Sequence, residues 1–304
     1  MNQKIIMFNK IDDTYIFYSN AKINIFLLIG PKDEKVGLHK IYSFFLPVNL
    51  FDLIYVRKSD KFNLNYFNRF GEKLEVENCI INKINKILNI YPKLNIKIIK
   101  NIPLGSGLGG ASSNAANYLK ILCFFDYISK NKMLDKKFLL KIGSDVPFFM
   151  YNKPAIVYNF GEKIKFVKNF PDNLFFLSIS PNFSSKTSMM YYELDNFRKD
   201  LKKEEIEKKF NNKIKNQKKM LKKLLKYDYT YIGNLENDFK HIFFKIFDIP
   251  LKNYPLNNIN KKCYLSGCGS TFFFIYEDIN ALFKDMRKID KGDNFYKVQI
   301  LTKY

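Results

Sequence analysis

Residues 103–116 read Pro-Leu-Gly-Ser-Gly-Leu-Gly-Gly-Ala-Ser-Ser-Asn-Ala-Ala, and four of the chain's 13 glycines fall here, at Gly105, Gly107, Gly109 and Gly110. The stretch before them, Leu94-Asn-Ile-Lys-Ile-Ile-Lys100, alternates and is rich in β-branched residues, which predicts a strand. After them, Ser112, Ser113 and Asn114 offer N-cap oxygens to the helical run Ala115-Ala-Asn-Tyr-Leu-Lys-Ile-Leu. Strand, glycine loop and helix start, in that order, build an anion cradle. Glycine permits positive φ and lets backbone N–H groups approach a ligand with no Cβ in the way. The helix start adds unpaired N–H groups and a partial positive charge, worth about 0.3–1 kcal/mol per anionic contact. The segment therefore reads as a phosphate site.

Several phosphate-loop classes are excluded. Gly105, Gly107 and Gly110 satisfy G-x-G-x-x-G, but a dinucleotide fold needs a second strand ending in an acid about 20 positions on. The chain gives Asp126 instead, early and still within the helical stretch. A Walker loop ends in Gly-Lys-Ser/Thr, whereas Gly110 is followed by Ala111-Ser112-Ser113. The His-Arg-Asp and Asp-Phe-Gly signatures of protein kinases are absent. A plain surface turn is the competing reading, and the strand and helix on the correct sides argue against it.

Three further stretches stand out. Residues 14–30 form two strand-like runs around Ser19-Asn20 and contain Ala21-Lys22-Ile23-Asn24-Ile25-Phe26-Leu27. A lysine in so apolar a strand is costly to bury unless it meets an anion. After a short helix at Lys136–Ile142 comes Gly143-Ser144-Asp145-Val146-Pro147-Phe148-Phe149, an acid between two apolar runs, where carboxylates are readily perturbed. Near the C-terminus, Ser266-Gly267-Cys268-Gly269-Ser270-Thr271 sets two glycines among hydroxyls between strands. The intervening chain predicts two or three strands over 41–66, a helix from Glu77-Asn78 to about Ile90, and a strand at Phe175–Pro181.

These four motifs, at residues 21–27, 103–116, 143–149 and 265–274, occur in an order that resembles the galactokinase, homoserine kinase, mevalonate kinase and phosphomevalonate kinase (GHMP kinase) superfamily. Within it they resemble the branch acting on a cytidine-diphosphate-linked methylerythritol in non-mevalonate isoprenoid precursor synthesis. The resemblance implies an α+β, two-lobed fold, with a ribosomal-S5-domain-2-like lobe over 1–157 and a ferredoxin-like lobe over 158–304. It implies ATP-dependent phosphorylation of the substrate's 2-hydroxyl, with Lys22 and Asp145 as catalytic residues and Asp145 as the base. ATP would be held by Pro103, Leu104, Gly105, Ser106, Gly107, Leu108, Gly109, Gly110, Ala111, Ser112 and Ser113. Asn78 would lie near the adenine, although an N-cap role explains that asparagine equally well. Asn24, His39 and Tyr191 would bind the substrate. Mg²⁺ would bridge the ATP phosphates, and since no carboxylate stands out as its ligand, nucleotide and water would hold most of it. Two positions depart from the family pattern. Ala111 replaces a third glycine, which is tolerated unless φ is positive there, and Leu38 replaces the tyrosine that stacks on cytosine, leaving Tyr191 to carry more of the stacking. Asn237-Asp238-Phe239 resembles the family's Asn-Asp helix start in the second lobe.

Composition sets the remaining bounds. At 304 residues and 47% hydrophobic, the chain has enough length for two modest domains and a substantial core. A net charge of +22 raises nucleic-acid binding as an alternative. The lysines are scattered, however, and the Lys, Asn, Ile, Phe and Tyr excess is what AT-rich coding imposes. The Lys-rich stretch 198–226 has apolar residues at helical spacing and reads as a helix with a solvated face. Cys79, Cys123, Cys263 and Cys268 form no C-x-x-C pair and read as reduced, buried thiols. There is no apolar run long enough for a membrane span, and the N-terminus reads as an edge strand rather than a targeting peptide. The expectation is a cytoplasmic monomer or weak homodimer that binds small molecules, not nucleic acid or membrane. Another kinase of the superfamily and a non-catalytic relative remain as alternatives.

Overall fold

The computed structural model describes residues 8–76, 79–247, 256, 259–289 and 296–304. In chain order the elements begin with strands β1 (Phe8–Ile11), β2 (Thr14–Asp33), β3 (Leu38–Lys58), β4 (Asn63–Asn68) and β5 (Lys73–Leu74), then helix α1 (Ile80–Leu88) and strand β6 (Leu94–Lys100). Helices α2 (Gly110–Phe124), α3 (Lys130–Met133), α4 (Lys136–Ile142) and α5 (Val146–Phe149) follow. Next come β7 (Ala155–Asn159), β8 (Lys163–Phe166), β9 (Phe175–Pro181), α6 (Thr187–Phe197), α7 (Lys203–Leu224) and α8 (Lys240–Ile246). The chain closes with β10 (Tyr264–Leu265), β11 (Phe272–Tyr276), α9 (Ile279–Met286) and β12 (Tyr296–Thr302). This is an α+β fold.

It divides into two compact units. The first takes the residues up to Ala21, Leu50–Leu104 and Gly109–Lys153; the second takes Lys22–Asn49, Gly105–Leu108 and Pro154–Tyr304. The division does not follow one cut at 157/158, because two long strands serve both units. β2 is a single strand of 20 residues, not two runs, with Ser19 and Asn20 buried in its middle. It leaves the first unit after Ala21, and β3, 21 residues long, re-enters it at Leu50.

In the first unit, β6 lies antiparallel to the second half of β3 (Leu53↔Ile99 to Lys58↔Leu94) and parallel to β4 (Asn63↔Asn95 to Asn68↔Lys100). Period-two alternation buries Leu94, Ile96 and Ile98. α2 is buried at every position from Ser113 to Leu122 and forms the helical centre of this unit. α1 ends where Asn89 turns left-handed at φ +52, ahead of Pro92.

The second unit holds an antiparallel sheet in the order β10-β11-β9-β12. Its chain order of strand, helices, two strands, helix and strand is the ferredoxin-like βαββαβ plan. Leu177, Ile179, Phe274, Tyr276 and Leu282 pack its core. α7 turns Phe210, Leu221 and Leu224 inward and leaves its lysines largely on the outer face. All four cysteines are free thiols, yet partly exposed rather than buried as expected, because each sits at a loop or element end. Among the described residues, no helix is long and apolar enough to cross a membrane.

Candidate active site

The glycine loop follows β6. Its helix, α2, begins at Gly110 and is capped by the backbone of Gly109 at φ +76, with no side-chain cap. Ser113 N–H already donates to Gly109 O at 2.9 Å. Ser112, Ser113 and Asn114 therefore lie inside the first turns instead of capping them. The left-handed glycine starts the helix earlier than the hydroxyl pattern suggests. An α-helix leaves its first four N–H groups without intrahelical acceptors, here those of residues 109–112. Ala111 is not among the positive-φ residues, so the missing third glycine costs no strain. Gly107 is irreplaceable for a different reason: at φ +76, a Cβ would sit 2.2 Å from the Ser266 carbonyl oxygen. Such a loop, with glycines at four positions and helix-start amides that lack intrahelical acceptors, fits a polyphosphate. Asn78, expected near the adenine, lies outside the described residues.

Lys22 belongs to the second unit and is 3% exposed. Its N–H donates to Leu108 O at 3.0 Å, which ties β2 to the glycine loop. Its ammonium donates to Asn24 Oδ1 and to Gly107 O, the latter at 3.0 Å, and lies 4.7 Å from the centre of the Phe45 ring. Asn24, expected to touch substrate, has its oxygen on Lys22 and its amide on Ser43 Oγ at 2.9 Å. Ser266 Oγ donates to Gly107 O at 3.2 Å and accepts from Asn24 N–H at 3.3 Å, and Thr271 N–H donates to Ser106 O at 3.0 Å. The first motif, the loop and the last motif thus meet around one ammonium.

Asp145 belongs to the first unit, at the N-cap of α5 with φ −87 and ψ −13. Its turn runs close to the start of α2: a Cβ built on Gly143 would come 3.6 Å from Ser112 Oγ. Asp145 thus sits on the turn that packs against the start of the phosphate-loop helix, within one unit.

The expected substrate residues His39 and Tyr191 come together in the second unit. Their rings stack at 5.0 Å with an interplanar angle of 26°. His39 Nδ1 lies 3.2 Å from Gly30 O, and Nε2 lies 3.1 Å from the Asp195 carboxylate. The imidazole is locked from both sides. A flat base inserted between the two rings would need a separation of about 7 Å, twice an ordinary contact distance. At 5.0 Å the two rings leave no room for a flat base between them, and Tyr191 also meets Phe239 edge-on at 4.9 Å. Leu38, at the start of β3, is 43% exposed.

Residues 74–153 match the family described as GHMP kinases N terminal domain. A Pelagibacter ubique protein named 4-diphosphocytidyl-2-C-methyl-D-erythritol kinase is 32% identical over 265 residues, covering 84% of this chain and 83% of that one. Its namesake from Fusobacterium nucleatum subsp. nucleatum is 31% identical over 277 residues, covering 85% and 87%. The chain belongs to the 4-diphosphocytidyl-2-C-methyl-D-erythritol kinase family. A crystal structure of 4-(cytidine 5'-diphospho)-2C-methyl-D-erythritol kinase, 20% identical, superposes with a TM-score of 0.63 over 95% of this chain and all of that one, which shows the shared fold.

Sequence reasoning passed over several residues that hold this family's motifs in place. Asp52, fully buried, pairs with Lys100 and accepts the N–H groups of Asn101 and Ile102 at 2.8 and 2.9 Å. It anchors the chain where β6 hands over to the glycine loop. Ser43 accepts from Asn24 and donates to Phe26 O at 2.5 Å; a hydroxyl inside an apolar strand was its only signal. Asp195 stands four positions after Tyr191, on the same face of α6. Lys120, buried in α2, donates to Phe149 O at 3.0 Å, joining α2 to the end of α5. Burial pushes its ammonium down to about 8.

Proposed function

We propose that this chain transfers the γ-phosphoryl group of ATP to the 2-hydroxyl of 4-diphosphocytidyl-2-C-methyl-D-erythritol, giving the 2-phosphate and ADP in isoprenoid precursor synthesis. One observation carries the reading: the buried Lys22 ammonium is hydrogen-bonded to the carbonyl of Gly107, inside the glycine loop. A fixed cation is thereby built into a polyphosphate cradle.

The acceptor is a tertiary alcohol and a weak nucleophile. Asp145 accepts its proton from a distance of about 2.6–3.2 Å as the hydroxyl oxygen bonds to phosphorus and the bond to ADP breaks. Lys22 offsets the charge gathering on the transferred group. Asn24 orients Lys22. Amides of the 103–113 segment hold the triphosphate. His39 and Tyr191 take the cytidine end, with Tyr191 supplying the aromatic surface that Leu38 lacks. Phosphoryl transfer depends mainly on such placement, and well-oriented reactants lower a barrier by about 7–11 kcal/mol.

Among the described residues no group of three or more His, Cys, Asp or Glu side chains could hold a metal ion. No step is assigned to a metal. In this reading Mg²⁺ accompanies the nucleotide, ligated by phosphate and water.

A coupled ADP-release assay tests the proposal. The cytidyl substrate should be turned over, and a non-cytidyl analogue, homoserine and mevalonate should not. Comparable turnover of homoserine or mevalonate would overturn the substrate assignment.

A further inference from the structure

The turn at Ser266–Gly269 touches the glycine loop, and something must hold that turn. Asn237 does so with its whole carboxamide. Its Nδ2 donates one hydrogen to Leu265 O at 2.8 Å and the other to Gly267 O at 2.9 Å, while its Oδ1 accepts Phe239 N–H at 2.9 Å. Both donors grip carbonyls that flank Ser266. The backbone around Asn237 is itself stitched to the strand that carries Lys22. Leu27 N–H donates to Glu236 O and Asp238 N–H donates to Leu27 O, each at 2.9 Å. Asn237 is therefore registered against β2 by its main chain and against the turn by its side chain.

Ser266 lies at the end of this relay. Its hydroxyl donates to Gly107 O, the same carbonyl that receives the Lys22 ammonium. One carbonyl oxygen with two acceptor sites thus takes one bond from each motif. The approach is close enough that a Cβ on Gly267 would come 3.0 Å from Gly107 O and 3.5 Å from Asn24 Oδ1. A turn that drifted by an ångström would withdraw Ser266 from Gly107 O and loosen the carbonyl that the Lys22 ammonium binds.

We infer that Asn237 is a positioning residue for phosphoryl transfer, acting through Ser266 to hold the glycine loop against Lys22. The inference rests on the function proposed above and deepens it. Neither Asn237 nor Ser266 needs to touch a reactant for this role.

The test uses the full chain as wild type, Asn237→Ala, Ser266→Ala and the double variant. ATP affinity is measured by calorimetry, kcat by ADP release and stability by thermal melting. Asn237→Ala should weaken ATP binding and lower kcat by about tenfold each, the scale of two lost hydrogen bonds. The double variant should be no worse than the poorer single one, because both act on one carbonyl. Leu282→Ala, in the sheet core of the same unit, should melt earlier yet keep its ATP affinity and kcat. If Asn237→Ala does not fold, Asn237→Ser, which keeps one donor, is read the same way. ATP affinity and kcat within about twofold of wild type, or losses that multiply in the double variant, would overturn the inference. A wild-type chain that binds ATP but ignores the cytidyl substrate would instead sink the substrate assignment, and ATP affinity would still decide the role of Asn237.

Discussion

Lys22 and Lys120 are both buried, 3% and 6% exposed, one in each unit, and their surroundings differ in kind. Around Lys22 the chain has assembled two oxygens, an aromatic face and a second tier, Ser43 and Ser266, that orients those oxygens. Among the described residues Lys120 donates to the carbonyl of Phe149 at the end of a four-residue helix, and burial holds its ammonium down to about 8. The oriented dipoles around Lys22 suit the catalytic role proposed for it, because preorganised dipoles stabilise charge without rearranging. A carbonyl offsets desolvation only in part. The difference teaches that burial of a charge is no sign of function until its surroundings are read.

The hardest blow to this contrast would come at the reacting centre. Asp145→Asn should lower kcat by about 10²–10⁴-fold with ATP binding retained, as expected for loss of a general base. Near-normal kcat would remove Asp145 from the base role. Lys22→Met should lower kcat by about 10²–10³-fold, the scale of losing one preorganised charge partner, without lowering the melting temperature. An effect confined to KM would reduce Lys22 to a binding residue.

Lys120→Met should do the reverse, stabilising the fold at pH 7 by a few kcal/mol, on the order of the shift from 10.5 to about 8, with kcat changed little. The sign follows from proton counting. The unfolded chain binds the Lys120 proton more tightly, so wild-type stability rises with pH between about 8 and 10.5, while below about 8 the cost is present in full. Melting curves across that range should slope upward for wild type and flatten in Lys120→Met; equal slopes would contradict the burial argument. The smallest effect belongs to Asp195→Ala. Unlocking the His39 ring should raise KM for the cytidyl substrate by about three- to tenfold, roughly one lost charge-assisted hydrogen bond, and leave KM for ATP alone. An unchanged KM would mean that the His39–Asp195 pair is purely structural.

Much of the local structure was legible. β6 at Leu94–Lys100, α4 at Lys136–Ile142 and β9 at Phe175–Pro181 have the bounds their patterns predict, since alternation, capping and proline act over a few residues. Partnerships were not legible. For Asn24 the motif marks a position without saying which way its carboxamide faces, which is toward Lys22 and Ser43. The side-chain oxygens of Ser112, Ser113 and Asn114 looked like caps because the pattern rewards side-chain oxygens and overlooks a left-handed glycine.

By itself, the amino-acid order determined which residue types stand at the four motifs, which stretches are strand or helix, and which kinase family they resemble. Only the folded chain decided that Lys22 meets Gly107 across 85 positions and that Asn24 meets Ser266 across 242. It also decided that β2 is one unbroken strand serving both units, and that Asn237 governs a turn 28 to 30 positions away. The physical reason is range. Backbone preferences are settled among near neighbours, whereas a buried polar group takes whichever partner the packing of distant segments delivers.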